Sequence, residues 1–509
     1  MLNWQAHLFL FFLAAALIVS RRPDALFHAQ FFAEDGSIWY PQAYTLGWFK
    51  ALLHPQDGYF QTLPRLGAAL ALLVPLRYAP LLENLIAISL QALPVNILLS
   101  ERCRGFGSLG LRAAMAVVYV ALPNSFEVDA SMEEAQWHVA VIACLILFAA
   151  KPRYLEWRIF DVCIVLIFGL SGPFVVMLLP LALIFWYFRR QSWTIVLSIM
   201  LAVCAVVQIS ALLNLSSSGR VKMFLSPTAE LFLQILAGHV YLGALLGTFG
   251  FEGQAVPVLL LVSIVASALI AYCFWKAPLE WRLLLAFCFL AFAAALKYPM
   301  VPAPQWPVLA KSPGIRYWFL PTLAFAWVLV WETMATQQRI VRTVSIVGLI
   351  TMCYGILRDW RYPAFPDLGF RSYARWFAVA PAGAMLTIPI LPGGDWRMRI
   401  TKHAPHCKVL PTGGIDQPTS DYAISKSVSM SGWVLLQDEK LKQLSIYIDR
   451  KHPQPVAIAR QRTPGRAQTW TATLEVSGIP PGQHELEVRA SSENGCEADV
   501  GQVVVNVVK

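Results

Sequence analysis

Apolar runs long enough to cross the hydrocarbon of a bilayer recur from Leu8 to Leu357, after which the chain turns polar and rich in Gly, Pro, Thr and charge. They predict spans at residues 5–20, 81–100, 107–123, 137–150, 159–170, 173–187, 193–213, 257–275, 283–298, 316–334 and 343–357. That makes about eleven crossings. Two places strain the pattern. The apolar stretch Leu63 to Leu76 reads as re-entrant or peripheral, because a full span there would reverse every later one. The segments flanking Ser171-Gly172-Pro173 each fall short of the roughly 20 residues of a straight span, which suits tilted or broken helices beside a water-filled cavity. From about Val428 the period changes to two, as in Leu444, Ile446 and Ile448 alternating with Ser445, Tyr447 and Asp449. Further strands are expected at Met385 to Leu391, Ser431 to Leu436, Pro455 to Arg460, Trp470 to Val476, His484 to Ala490 and Gln502 to Val508. The expected architecture is mostly α: a polytopic membrane helix bundle (1–357), an extracytoplasmic connecting region packed on it (358–425), and a C-terminal β-sandwich (426–509), Ig-like or carbohydrate-binding-like.

Composition supports the lipid reading. Hydrophobic residues make up 57% of 509 residues, charged residues only 14%, and the mean hydropathy is +0.56, far from soluble usage. The formal charge of +10 is not gathered on one face or tail, so it gives no reason to expect a nucleic-acid partner. The clusters Arg102/Arg104/Arg112, Lys151/Arg153/Arg158, Arg189/Arg190, Lys276/Arg282 and Arg339/Arg342 become cytoplasmic together under one assignment, with the N-terminus inside and the C-terminal domain outside. Arg21 and Arg22 fall on the outer side against that rule. The first run lacks a basic leader and a small-residue cleavage site and is taken as a retained span. Of the nine cysteines, Cys407 and Cys496 lie in the polar region and are candidates for a disulfide if that region is exported.

The same assignment collects the acids on the outer side. The first outer loop carries Phe31-Phe32-Ala33-Glu34-Asp35-Gly36, then Trp39-Tyr40 and His54 to Tyr59; the second runs from Asn124 to His138 with Glu127, Asp129, Glu133, Glu134, Gln136, Trp137 and His138. Later outer segments add Arg220, Lys222, His239, Glu252, Lys297, Lys311 and Arg316-Tyr317. Carboxylates facing bases above apolar helices suit a substrate with an anionic head and a lipid tail. A carboxylate can take the proton of an attacking hydroxyl, and Arg or Lys can hold a leaving phosphate. The bland readings are real alternatives: a solvated Glu-Asp pair in a turn, an interfacial His138, a snorkelling Arg316 with its aromatic belt. No metal-binding spacing such as H-E-x-x-H occurs, and no metal ligand is assigned.

The loop Ala33-Glu34-Asp35-Gly36, the acidic, aromatic Glu133-Glu134-Ala135-Gln136-Trp137-His138 and the late Arg316-Tyr317 together resemble the GT-C glycosyltransferases. These are multi-span enzymes that take sugar from a polyprenyl-phosphate donor on the outer face. The resemblance implies an inverting transfer to a glycan, lipid or protein acceptor, with Asp35 or Glu34 as base. It implies Arg316 with Lys297, Lys311 and Tyr317 near the donor phosphate, and Glu133, Glu134, Gln136, Trp137, His138 and Tyr40 toward substrate. The acids here precede Gly and are ordered Glu-Asp, unlike the commonest pattern, so the choice of base stays open. The family includes metal-dependent and metal-independent members, and nothing here decides between them. Two rival readings remain, a transporter or flippase of a lipid-linked glycan and an O-antigen ligase or polymerase. Trp433 and Trp470 are candidates for stacking on sugar, or else for the β core. The expected location is a bacterial inner membrane, with membrane lipids as solvent and the C-terminal domain periplasmic.

Overall fold

The computed structural model describes residues 3–213, 224–248, 253–311, 315–403, 407, 410–419, 422–436, 440–449, 451–456, 467–476 and 478–508. Arg220, Lys222, Glu252 and most of the strand expected at 455–460 lie outside the described residues. The chain groups into two compact units: Met1–Gln30, Leu53–Leu70 and Pro80–Phe365 form the first, and Phe31–Leu52, Ala71–Ala79 and Pro366–Lys509 the second.

The first unit is a helical bundle. Among the described residues eight helices are long and apolar enough to cross a membrane, and Leu109–Val120, Ala135–Leu147 and Phe174–Arg189 are shorter apolar helices. Several expose rather than bury their apolar side chains, Phe9, Phe12, Ile199, Val203, Val206 and Ile264 among them. Water would penalise such a surface and lipid does not. The protein is therefore of the membrane-embedded, mostly helical kind, with a β region toward its C-terminus.

Polar side chains sort to two ends of this bundle. At one end Arg102 makes a two-pronged pair with Asp161 at 2.8 and 2.7 Å, Trp193 Nε1 donates to the same carboxylate at 2.8 Å, and Arg189 reaches Glu280 at 2.6 Å. These contacts join the ends or beginnings of helices whose flanks carry the basic clusters. At the other end Arg21, the loop 121–134, Arg316, Asp359 and Tyr362 meet. Leu63 N donates to Ser171 Oγ at 2.8 Å and Thr62 N to Leu170 O at 3.0 Å, which ties the Thr62–Ala71 helix to the turn between Leu155–Gly169 and Phe174–Arg189.

The helix Ala229–Leu246 was not expected from the sequence, because Gln234, Gly238 and His239 interrupt its apolar run. Its middle widens into a π-helix over Gln234–Leu242. Just before it, Phe224 N donates to Gln305 Oε1 at 2.9 Å; just after it, Thr248 N donates to Asp359 Oδ2 at 2.7 Å. Gln305 follows the Leu279–Lys297 helix and Asp359 ends the Arg339–Asp359 helix. Although long enough to span, this helix thus has both flanks fastened to segments that the charge sorting places at the same end.

Among the described residues the second unit carries ten strands: β1 (Met385–Pro389), β2 (Arg397–Thr401), β3 (Thr412–Gln417), β4 (Tyr422–Ile424), β5 (Ser427–Leu435), β6 (Leu441–Ile448), β7 (Lys451–Pro455), β8 (Gln468–Glu475), β9 (Gly482–Ser492) and β10 (Glu497–Val507). β1 and β2 form a hairpin, β4-β10-β9-β6-β7 a five-stranded sheet, and β3-β5-β8 a three-stranded sheet. Alternation in β5 sends Val428, Met430 and Val434 inward, where they share one core with Leu444, Ile446, Leu486 and Val488 of the larger sheet. Trp470 is in that core, whereas Trp433 is 37% exposed. Cys407 and Cys496 are joined in a disulfide.

Candidate functional site

The loop between the Leu109–Val120 and Ala135–Leu147 helices organises one end of the first unit. It turns sharply at Asn124 and Ala130, both at positive φ, and nearly all of it is buried. A buried loop must find partners for its polar groups, and two arginines supply them. Arg21 donates to Val120 O at 2.7 Å and Leu122 O at 2.8 Å, bonds the Tyr362 hydroxyl, and lies 3.4 Å from Asp129. Arg22 donates to Phe126 O and Asp129 O and stacks 4.0 Å over the Phe365 ring. The arginines that broke the charge rule are thus structural cations, satisfying a carbonyl at a helix end and others in the buried loop. Asn124 N and Thr248 N both donate to Asp359 Oδ2.

Arg316 enters the same region from the first turn of the Ile315–Ala335 helix. Its Nη1 donates to Glu134 Oε1 at 2.9 Å and lies 3.7 Å from Glu127 Oε1, while its backbone N donates to Glu127 Oε2 at 3.1 Å. The other oxygen of Glu134 accepts from Trp137 Nε1 at 2.9 Å. Burial pushes the Glu134 carboxyl up to about 7, working against the Arg316 charge that lowers it. Tyr59, half-buried, lies within electrostatic reach of Glu133, Tyr317 and Arg316, and desolvation pushes its hydroxyl up. Tyr317 places its ring 5.2 Å from the Arg316 guanidinium and accepts from Met300 N at 2.9 Å. The result is one cation shared by two carboxylates and bordered by aromatic rings, a site able to exchange a carboxylate for another anion on Arg316.

Of the remaining expected residues of this unit, Trp137 stays at the Arg316 cluster and the others are dispersed. Gln136 faces the Gly172 turn, where a Cβ would come within 3.2 Å of its Oε1, and Trp137 packs edge-on against Phe174 and Tyr317. Glu133 is buried. His138 is 1% exposed, with one ring nitrogen 2.7 Å from the Tyr119 hydroxyl and the other 2.9 Å from Val128 O, so the packing already uses both of its polar atoms. Lys297 is exposed in the last turn of its helix, 5.2 Å over the Tyr298 ring, and Lys311 is exposed at the end of Gln305–Lys311.

Glu34, Asp35 and Tyr40 belong to the second unit. Their segment is held by backbone: Leu391 N donates to Phe31 O at 3.0 Å, and Ala33 N donates to Leu391 O at 2.7 Å. Ala33 turns at φ 42, and Asp35–Trp39 is a short π-helix. Gly36 is required, since a Cβ there would lie 2.6 Å from Phe31 Cβ and 2.9 Å from Ile390 Cδ1. Asp35 and Tyr40 are buried and Glu34 half-buried. Phe31 packs against Tyr40 and Phe370 with ring centroids 5.0 and 5.4 Å away. His403 stacks 4.0 Å from Tyr44 and donates its backbone N–H to that hydroxyl at 3.2 Å; burial pushes its imidazole down to about 4.

No family model matches the chain. No curated protein matches it. Among solved structures it is similar to the X-ray structure of the endo-beta-1,4-mannanase from Thermotoga petrophila at 16% identity and a TM-score of 0.17. That likeness covers 28% of this chain and spans only 23% of the mannanase chain, too slight to assign a fold or an activity.

Three partners of the site escaped the sequence reading. Asp359 and Tyr362 sit at the end of the last apolar helix, where they look like ordinary helix-end polar residues. Glu83, 2% exposed and within electrostatic reach of Glu133, was hidden inside a predicted span. An acid in an otherwise apolar run is the signal that could have singled it out. Among the described residues no three His, Cys, Asp or Glu side chains form a group that could hold a metal ion.

Proposed function

We propose that the protein is an integral membrane glycosyltransferase that moves a sugar from a polyprenyl-phosphate donor to a glycan, lipid or protein acceptor. In this reading Asp35 or Glu34 is the base and Arg316 meets the donor phosphate. The observation that carries it is the setting of Arg316: a cation at the mouth of an apolar helical bundle, held by Glu134 and Glu127 and walled by Trp137, Tyr59 and Tyr317. A phosphate arriving there finds a positioned guanidinium, and protonation of Glu134 weakens the carboxylate's competing hold. The rigid Phe31–Trp39 segment favours the base assignment, because a proton acceptor must be placed before it can act.

Sidedness follows from the same reading. The bundle end rich in Arg and Lys is cytoplasmic, and the end holding Arg316 faces out. The disulfide agrees with an exported C-terminal region, in which we read the two sheets as a sandwich. A transporter would be expected to hold ionisable groups at mid-depth. Glu332, bonded by Ser345 Oγ at 2.6 Å, lies near the end of its helix instead.

The test is glycan product formed by membranes carrying Asp35→Asn, Glu34→Gln and Arg316→Ala at equal abundance. At least one acid variant and the arginine variant should lose turnover, and lipid extracts of a deletion strain should accumulate a polyprenyl-phosphate sugar. Full activity in all three variants, with no such lipid, removes the reading.

A further inference from the structure

We propose that the Phe370–Val379 helix lies flat on the bilayer and binds anionic phospholipid headgroups through Arg371 and Arg375. The helix is divided cleanly along its length. Phe370, Ala374 and Phe377 are buried at a spacing of four and three residues, and Phe377 packs on Tyr44 with ring centroids 5.7 Å apart. The opposite face carries Arg371, Arg375, Trp376 and Val379, with Trp376 61% and Val379 83% exposed. No acid lies on the helix. A tryptophan and a valine facing water are costly, while the same residues beside two arginines suit the boundary between headgroups and acyl chains.

What covers this face follows from where the helix is fixed. It packs on the Leu76–Tyr78 turn, and that turn opens the apolar helix Leu76–Leu99, a candidate span. Packed on the first turn of a membrane helix, it sits at the level where chain leaves lipid. Leu73, 78% exposed, lies shortly before that turn, and Arg77 stacks 4.4 Å over Tyr78 within it. Trp48 and Phe49, exposed on the short Trp48–Leu52 helix of the same unit, add further side chains of the interfacial type. The helix is therefore an interfacial element that holds its unit to the membrane surface, whatever chemistry that unit performs. Charge complementarity selects the anionic lipid.

The experiment uses the full chain in nanodiscs of phosphatidylethanolamine and phosphatidylglycerol, with a photoreactive phenylalanine analogue at position 376, 379 or, as control, 422 on β4. Irradiation should give phospholipid adducts at 376 and 379 and none at 422. Arg371→Gln with Arg375→Gln should lower the phosphatidylglycerol share of those adducts, about fivefold per arginine removed, without abolishing the phosphatidylethanolamine adducts. Cross-links to a second copy or another protein, absence of lipid adducts at 376 and 379, or a lipid ratio unmoved by the double substitution would each overturn the proposal.

Discussion

Glu134 shows how one residue couples stability to pH in this protein. Its side chain is 1% exposed and pairs with Arg316, whose side chain keeps 26% of its exposure. Glu134→Gln replaces one accepting oxygen with an amide that faces a donor, either Arg316 Nη1 or Trp137 Nε1. It should cost about 2–3 kcal/mol, less than a fully buried pair because Arg316 is partly hydrated. The sign of the pH effect is fixed by burial. The folded carboxyl titrates at about 7 against a reference of 4.5, so between those values the folded state holds a proton that the unfolded state has released. Wild-type stability contributed by this group is therefore greatest below about pH 4.5, falls as pH rises through the window, and levels off above about 7. Thermal melts in detergent at pH 5 and pH 8 should show a decline that the Gln variant lacks; equal pH slopes in both would show that Glu134 does not titrate there. The sequence showed an acid beside Trp137 and a late Arg-Tyr pair, but not that they touch. That contact depends on two helix starts meeting across 182 positions.

At the scale of elements, apolar periodicity located every helix that it predicted, since long Leu, Val and Phe runs leave few alternatives. It missed Ala229–Leu246, where a histidine and a glycine break the run and neighbouring helices supply the compensation: His239 Nε2 lies 3.0 Å from Ala310 O, and Asn124 Nδ2 donates to His239 O at 3.0 Å. The strands were legible where alternation is strict, as in β5, β6 and β8. β3 was not, because its Gly413-Gly414 pair carries no alternation and is shaped by its neighbour β5. The segment around Asp35 was visible only as composition, since its conformation depends on Leu391. Gly36→Ala tests that dependence. The added methyl collides with Phe31 and Ile390 and should destabilise the segment by about 1–3 kcal/mol. Under the proposed chemistry, product formation should fall on the order of tenfold or more. Normal product with normal thermal stability would show the loop has room that the structure denies it.

For the molecule as a whole, the polar contacts of the helical unit fall into two groups. Arg102, Arg189 and their carboxylates cluster at one end of the helical unit, and Arg21, Arg316 and Asp359 at the other. Cysteine-reactive reagents applied from one side of sealed vesicles should label position 191 or position 363, never both; labelling of both from the same side contradicts the sorting. The β region has its own anchor. Replacing Cys407 and Cys496 with Ser opens a loop whose ends are 89 positions apart and should cost about 4–5 kcal/mol in the chain-entropy model, read as a lower urea midpoint for proteolysis of that region. The pairing of Phe31 and Ala33 with Leu391 also bears on how the protein is made. A ribosome extends a chain by roughly 5–20 residues per second, so the earliest polar segment waits on the order of tens of seconds for the residue that gives it shape. A nascent chain interrupted before Leu391 would carry the acids without their scaffold, and whatever quality control watches the membrane would meet an unfinished protein rather than a partly working one.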